Sequence, residues 1–263
     1  MGKYFNVEVK PTIAASRQAV NSSVFGATDV LFDWTSFQIP KGAARLIGIT
    51  YIVRGKNGAA QTSADLDFYF AKTISGTAPA TMGLINATAA AAPVVSNHII
   101  GMTRIDTDGG YGESGFDHFT IAKSGGGGND QFSLPNVVLQ GEPESGDNVG
   151  YDTLYIGAIV GTGGCDFGTT VLVSNAIAAD NTTVMPTQAT ADGDDDPGAE
   201  SKFAVGDVIH SATDDILGTI ASIADFGSGV QNITLTANNV AAIADNEEIF
   251  NINPIRIILS FEK

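Results

Sequence analysis

The stretch PIRIILSFEK, Pro254–Lys263, decides how this chain is organised. It reads as a short, strongly apolar strand. Its natural partner is LYIGAIV, Leu154–Val160, well upstream in the chain. The segment between them differs in composition and reads as a body of its own. The simplest organisation is a β host that runs to about Gly161, carries an inserted module and closes with its final strand. The expected division is a strand and arm in residues 1–29, a host in residues 30–164 with 254–263, and an insert in residues 165–253.

Charge sharpens that boundary. Residues 165–253 hold fourteen of the 29 acids and one of the 13 bases, Lys202, for a net −13. The remainder holds fifteen acids and twelve bases, −3, which together make the −16 of the whole chain. A break this abrupt suggests a separate, solvent-facing body. The 263 residues are 43% apolar, enough for a real core, but only 16% charged. The surface is therefore supplied by Ser, Thr, Asn and Gln, and the 31 glycines fit a turn-rich β protein.

The net charge argues against direct nucleic-acid binding, which needs clustered Lys and Arg, and against an anionic membrane surface. The N-terminal MGKYFNVEVK lacks the apolar region of a secretory signal. Asn6 stands where a myristoylation motif requires Ser or Thr. The apolar runs are all too short to span a bilayer as a helix. With a single cysteine, Cys165, the chain has no intrachain disulfide.

In order, residues 3–10 read as a strand and 11–29 as a connector or an arm reaching a neighbouring subunit. Val30–Ile39 and Ala44–Arg54 are strands, separated by the turn Pro40-Lys41-Gly42. Ala64–Ala71 alternates Leu66, Phe68 and Phe70 against Asp65, Asp67 and Tyr69, the pattern of a half-solvated strand. A short helix is expected around Met82–Ala91, then strands at Ile99–Ile105, Phe116–Ala122, Phe132–Leu139 and Leu154–Val160. Pro135 makes the third of these an edge strand or two pieces. The expected fold is all-β: an antiparallel jelly-roll sandwich, with an immunoglobulin-like sandwich as the alternative.

The insert should supply strands at Thr170–Ala176, Val208–Ser211, Ile216–Ile223, Val230–Thr236 and Glu248–Ile252. Its run FAVGDVIHSATDDILGTIASIADFGSGVQNITLT, Phe203–Thr236, resembles the small SH3-like or OB-like barrels found as accessory modules. That resemblance implies shape and no catalytic residue.

Several clusters carry groups suited to chemistry. Asp192, Asp194 and Asp196 match the first three ligand positions of a calcium loop, but Pro197 and Phe203 stand where an EF-hand needs Gly and Glu. The three carboxylates stay candidate calcium ligands against the simpler reading of a solvated acidic loop. Asp106, Asp108 and Glu113 form a second acidic group. His98, His118 and His210 lack zinc-site spacing, and Cys165 in GTGGCDFG has no companion motif. A nucleophile elbow and a P-loop are both missing from the sequence, Gly125–Gly128 lacks the strand-to-helix setting of a phosphate loop, and Asp65 with Asp67 suit water as well as catalysis. Trp34, Phe37, Tyr51, Tyr69 and Tyr111 pose the question of a sugar-stacking face, with a core role as the alternative. No catalytic residue and no cofactor is expected.

WTSFQIPKGAARLIGITYIVRG, YDTLYIGAIVGTGG and PIRIILSFEK, set beside an acidic barrel insert, resemble virion structural proteins of tailed bacteriophages, such as capsid decoration (cement) and appendage proteins. The resemblance implies a non-enzymatic virion component and a homo-oligomer, often a trimer. It would dock on the major capsid protein or on tail proteins, with the insert facing solvent. A carbohydrate- or receptor-binding module and a β-sandwich hydrolase are the competing classes.

Overall fold

The computed structural model describes residues 2–18, 24–54, 64–90, 97–105, 113–116, 119–124, 136–142, 150–163, 171–188, 199, 203–225 and 231–263. Among the described residues the fold is β and mostly antiparallel, with one four-residue helix.

Two sheets share the larger core. The first is built from β1 (Tyr4–Val9), β16 (Ile255–Glu262), β3 (Ala44–Arg54), β7 (Phe119–Ser124) and β6 (Glu113–Phe116) in that order, with β8 (Val137–Leu139) on β3. The second runs β2 (Val30–Pro40), β9 (Tyr151–Gly163), β4 (Ala64–Lys72) and β5 (Ile99–Ile105). β16 shows why the pattern holds. Ile255, Ile257, Leu259 and Phe261 are fully buried, while Arg256 and Glu262 point outward. The two sheets meet through their aromatic rings. Phe261 stacks on Phe37 at 6.3 Å and Tyr51 meets Phe68 at 6.2 Å, while within its own sheet Phe261 stacks on Phe5 at 5.2 Å.

Four expectations about this part of the chain are corrected. PIRIILSFEK does not pair with LYIGAIV: β16 lies between β1 and β3, and β9 lies between β2 and β4 in the other sheet. Both strands bury one face in the same core, and an apolar pattern records the buried face without naming the sheet. β4 is less solvated than expected, since Asp65 and Asp67 on its outer face are buried and Tyr69 there is only partly exposed. The expected strand 116–122 is instead divided between β6 and β7, which pair with each other at Phe116↔Phe119. The described residues of Met82–Ala91 form no helix. Ile85 and Thr88 make β-bridges to Val30 and Asp29, and Ala90 N–H donates to Met82 O at 2.8 Å.

The first 29 residues are largely part of the body. Ile13, Ala15 and Phe25 are fully buried, and a single turn of helix, α1 (Ala15–Gln18), stands where none is expected. Their described residues pack on their own chain.

A further sheet runs β10 (Val171–Leu172), β15 (Glu248–Asn251), β12 (Val208–Ser211), β13 (Ile216–Asp225), β14 (Gln231–Leu235) and β11 (Val184–Pro186). It is partly curled. Its end strands approach closely enough that Ser174 N–H donates to Pro186 O at 2.9 Å and Gln188 N–H to Leu172 O at 2.8 Å. Its buried residues, among them Val173, Met185, Ile209, Leu217, Ile220 and Ile233, form a second cluster that shares no member with the first.

The outer face of the first sheet is laced by polar contacts. Glu262 accepts from Tyr4 Oη at 3.0 Å and from Arg45, tying β1, β16 and β3 together. The Arg45 guanidinium, then the Tyr4 hydroxyl, hold the Glu262 carboxyl below the usual glutamate range. A depressed folded-state pKa gives stability that is complete above the ordinary glutamate value and is lost as pH falls through the depressed one. Denaturant midpoints taken down an acid series should fall in that window, and Glu262→Gln should flatten the fall. An unchanged slope in Glu262→Gln would remove this residue from the acid response.

Candidate docking face

The two sheets differ in what they turn outward. On the first, Tyr4, Asn6 and Glu8 of β1 lie opposite Glu262, Ser260 and Ile258, and Arg256 Nε meets Glu8 Oε1 at 2.5 Å. On the second, the outward row is apolar and aromatic.

That row follows from alternation and register. Leu66, Phe68 and Phe70 of β4 point into the core, so Tyr69 and Asp67 point out. Tyr69 pairs with Gly157 of β9 on one side and with Met102 of β5 on the other. The Trp34 ring lies over Gly157. A Cβ built on that glycine would come within 3.1 Å of Trp34 Cε3 and 2.4 Å of Met82 Sδ. The missing side chain lets the indole and the thioether lie down on the sheet. Trp34 is further fixed by Nε1–H donation to Ala80 O at 2.8 Å. The result is a row of Trp34, Tyr69 and Met102 across the sheet, flanked on β9 by half-buried Tyr155 and Ile159. Met102 is 47% exposed.

Charge on this face is compensated. Arg104 donates to Asp67 through Nε at 2.6 Å and Nη2 at 2.7 Å. The Asp67 hydrogen bonds raise the guanidinium pKa, against the opposing effect of burial, so it stays charged. Gly161 leaves room for it, since a Cβ there would lie 3.1 Å from Arg104 Nη2. Burial, then the Asp67 charge, push the Tyr69 hydroxyl up, so it is neutral and a donor at ordinary pH.

Of the five aromatic residues raised by the sequence, Phe37 and Tyr51 are buried in the core, Trp34 and Tyr69 belong to this row, and Tyr111 lies outside the described residues. Asp192, Asp194 and Asp196 also lie outside them, as do Asp106, Asp108, His118, Cys165 and Gly125–Gly128. Glu113 opens β6. His98 and His210 are buried, with Nδ1 on Lys72 O and Asp214 O, each at 2.9 Å. Asp65 and Asp67 share β4, but Asp67 is engaged by Arg104. Among the described residues no group of three or more His, Cys, Asp or Glu is placed to hold a metal. Sequence reading missed Met82, Met102 and Arg104. Only the register of β5 on β4 puts Arg104 beside Asp67, and a lone arginine in IIGMTRI carries no such signal. No protein-family model, curated protein or solved structure matches the chain.

Proposed function

We propose that the chain is a non-enzymatic virion structural protein of the tailed-bacteriophage type. In this reading a jelly-roll body associates with copies of itself as a trimer and docks on a capsid lattice or on tail proteins. The acidic residues 165–253 form an SH3- or OB-like barrel carried toward solvent. The observation that supports this reading is the strand order. Taken in chain order, the eight strands β1, β2, β3, β4, β5, β7, β9 and β16 lie as 1-8-3-6 in one sheet and 2-7-4-5 in the other. With β6 and β8 of the first sheet set aside, this order matches the double Greek key of a jelly roll and supports that reading; capsid and lectin domains share the architecture.

Jelly rolls serve several roles, and charge favours the structural one here. Two chains of net −16 repel unless they meet where charge is compensated. The Trp34–Tyr69–Met102 row with its Asp67–Arg104 pair offers such a place, with the aromatic and methionine content typical of interface cores. Placing a carboxylate there by Met102→Glu should lower the solution mass measured by light scattering while the thermal melt stays near that of the unaltered chain. An oligomer indifferent to this change would move the contact elsewhere.

A second reading, a carbohydrate- or receptor-binding module of a fibre or tail appendage, is favoured by the half-exposed Trp34 and Tyr69 on the same face. It requires hits on a glycan array that Trp34→Ala removes. An array without hits would eliminate it.

A further inference from the structure

Between its first strand and the rest of the larger body, the chain hydrogen-bonds to the curled sheet at Asn251 and Asp214 and to the link that follows it at Ile252 and Asn253. Asn253 Nδ2 donates to Pro11 O at 3.0 Å and Thr12 Oγ1 at 3.2 Å, with Lys10 O at 3.3 Å. Ile13 N–H donates to Ile252 O at 2.7 Å, and Gln18 Nε2 donates to Asn251 O at 2.8 Å. Ser16 N–H donates to Asp214 Oδ1 at 2.9 Å, in the turn between β12 and β13. The same segment is rooted in the larger body, since Ile13 is fully buried in that core.

The anchors on the curled sheet are themselves braced. Asn251 Nδ2 donates to Asp207 Oδ2 at 2.9 Å, and that oxygen also accepts Ala204 N–H at 2.8 Å. Asp214, at φ +70°, has its carbonyl held by His210 Nδ1 at 2.9 Å. Burial works against the Asp214 carboxylate, but hydrogen bonds from Ser16 and Ala15 outweigh it and hold the group ionised. By contrast, β15 and β16 are joined through only Ile252, Asn253 and Pro254. Beside this link lies a cleft of about 380 Å³ between the two bodies, lined by Lys10, Ile52, Val205, Asn253, Pro254 and Arg256, among others. The chain also passes from the larger body to the curled sheet between β9 and β10, so the smaller body is tethered at two points, and the open space beside the shorter link leaves it room to tilt.

We infer that Lys10–Gln18 is a clamp that sets the orientation of the curled-sheet body on the larger one, and that releasing it lets the smaller body tilt about Ile252–Pro254 into the cleft or away from it. The clamp is the N-terminal segment, remote in sequence from both bodies' connection. A partner that captured this segment would therefore change where the acidic surface points.

The test uses the full chain with Asp214→Gly and Asn253→Ala combined. Glycine suits the positive φ at position 214, so the change removes the acceptor without straining the turn. Asp214→Asn, which keeps an acceptor oxygen, is the control. Amide exchange at Ile13 and Ser16 should rise at least tenfold in the double variant and stay near the original rate in the control. The small-angle scattering curve should broaden to a larger maximum dimension. Unchanged circular dichroism would show that both bodies persist. A folded double variant whose scattering and exchange match the original chain would overturn the inference. Gln18→Ala, which removes the bonds to Asn251 O and Ile13 O and leaves Asp214 and Asn253 untouched, gives an independent reading: loosened exchange at Ile13 is expected, and none would count against the clamp.

Discussion

Phe261→Ala is expected to destabilise the chain by about 3–5 kcal/mol, the range for truncating a buried phenylalanine. Phe261 is fully buried, stacks on Phe5 within its own sheet at 5.2 Å and reaches Phe37 of the opposite sheet at 6.3 Å. Its removal costs transfer energy and also opens a cavity where the sheets meet. Those walls are strands paired on both sides, β16 with β1 and β3, so they relax little. The urea midpoint should drop accordingly. Phe261→Leu, which keeps most of the volume, should recover a large part of the loss. A cost under about 1 kcal/mol for the alanine variant would mean that the site collapses or that the rings do not bridge the sheets.

The second large effect is expected at Asn239. This side chain is fully buried and makes four hydrogen bonds. Its carbonyl oxygen accepts Asn181 N–H at 3.2 Å and Thr182 N–H at 3.1 Å, and its amide donates to Ala178 O at 2.7 Å and Ala241 O at 2.8 Å. It thus pins the loop before β11 to the loop after β14. Alanine would remove all four bonds; Ala178 and Asn181 are exposed, so water takes up part of the loss, and the cost is about 1–3 kcal/mol. Because the curled sheet has its own core, exchange protection should fall first in residues 171–251 while β3 and β16 stay protected. Equal loss across the whole chain would show that the two bodies unfold as one.

What the sequence made legible was the local pattern. Ala44–Arg54, Ile99–Ile105 and Val208–Ser211 are strands with the bounds their composition suggests, because β-branched and aromatic runs between turn residues leave little choice. Pairing was not legible. Ile257 and Ile156 look alike in sequence, and only the assembled core places them in different sheets. Short strands escaped for a related reason: Val184–Pro186 carries a proline and too few residues to show a period. The candidate face was half legible. Trp34 and Tyr69 stood out by type, but their exposure depends on Gly157, whose lack of a side chain lets Trp34 and Met82 lie flat. Asp67 read as a solvated acid because nothing local announces Arg104, thirty-seven residues later in the chain.

The measurement that bears most directly on the proposed role is the mass of the unaltered chain in solution, by light scattering over rising concentration. A self-associating virion protein should approach a closed oligomer, about 81 kDa for a trimer of the 27.1 kDa chain. A constant 27.1 kDa at every concentration, with Met102→Glu indistinguishable from it, would contradict assembly through the Trp34–Tyr69–Met102 face.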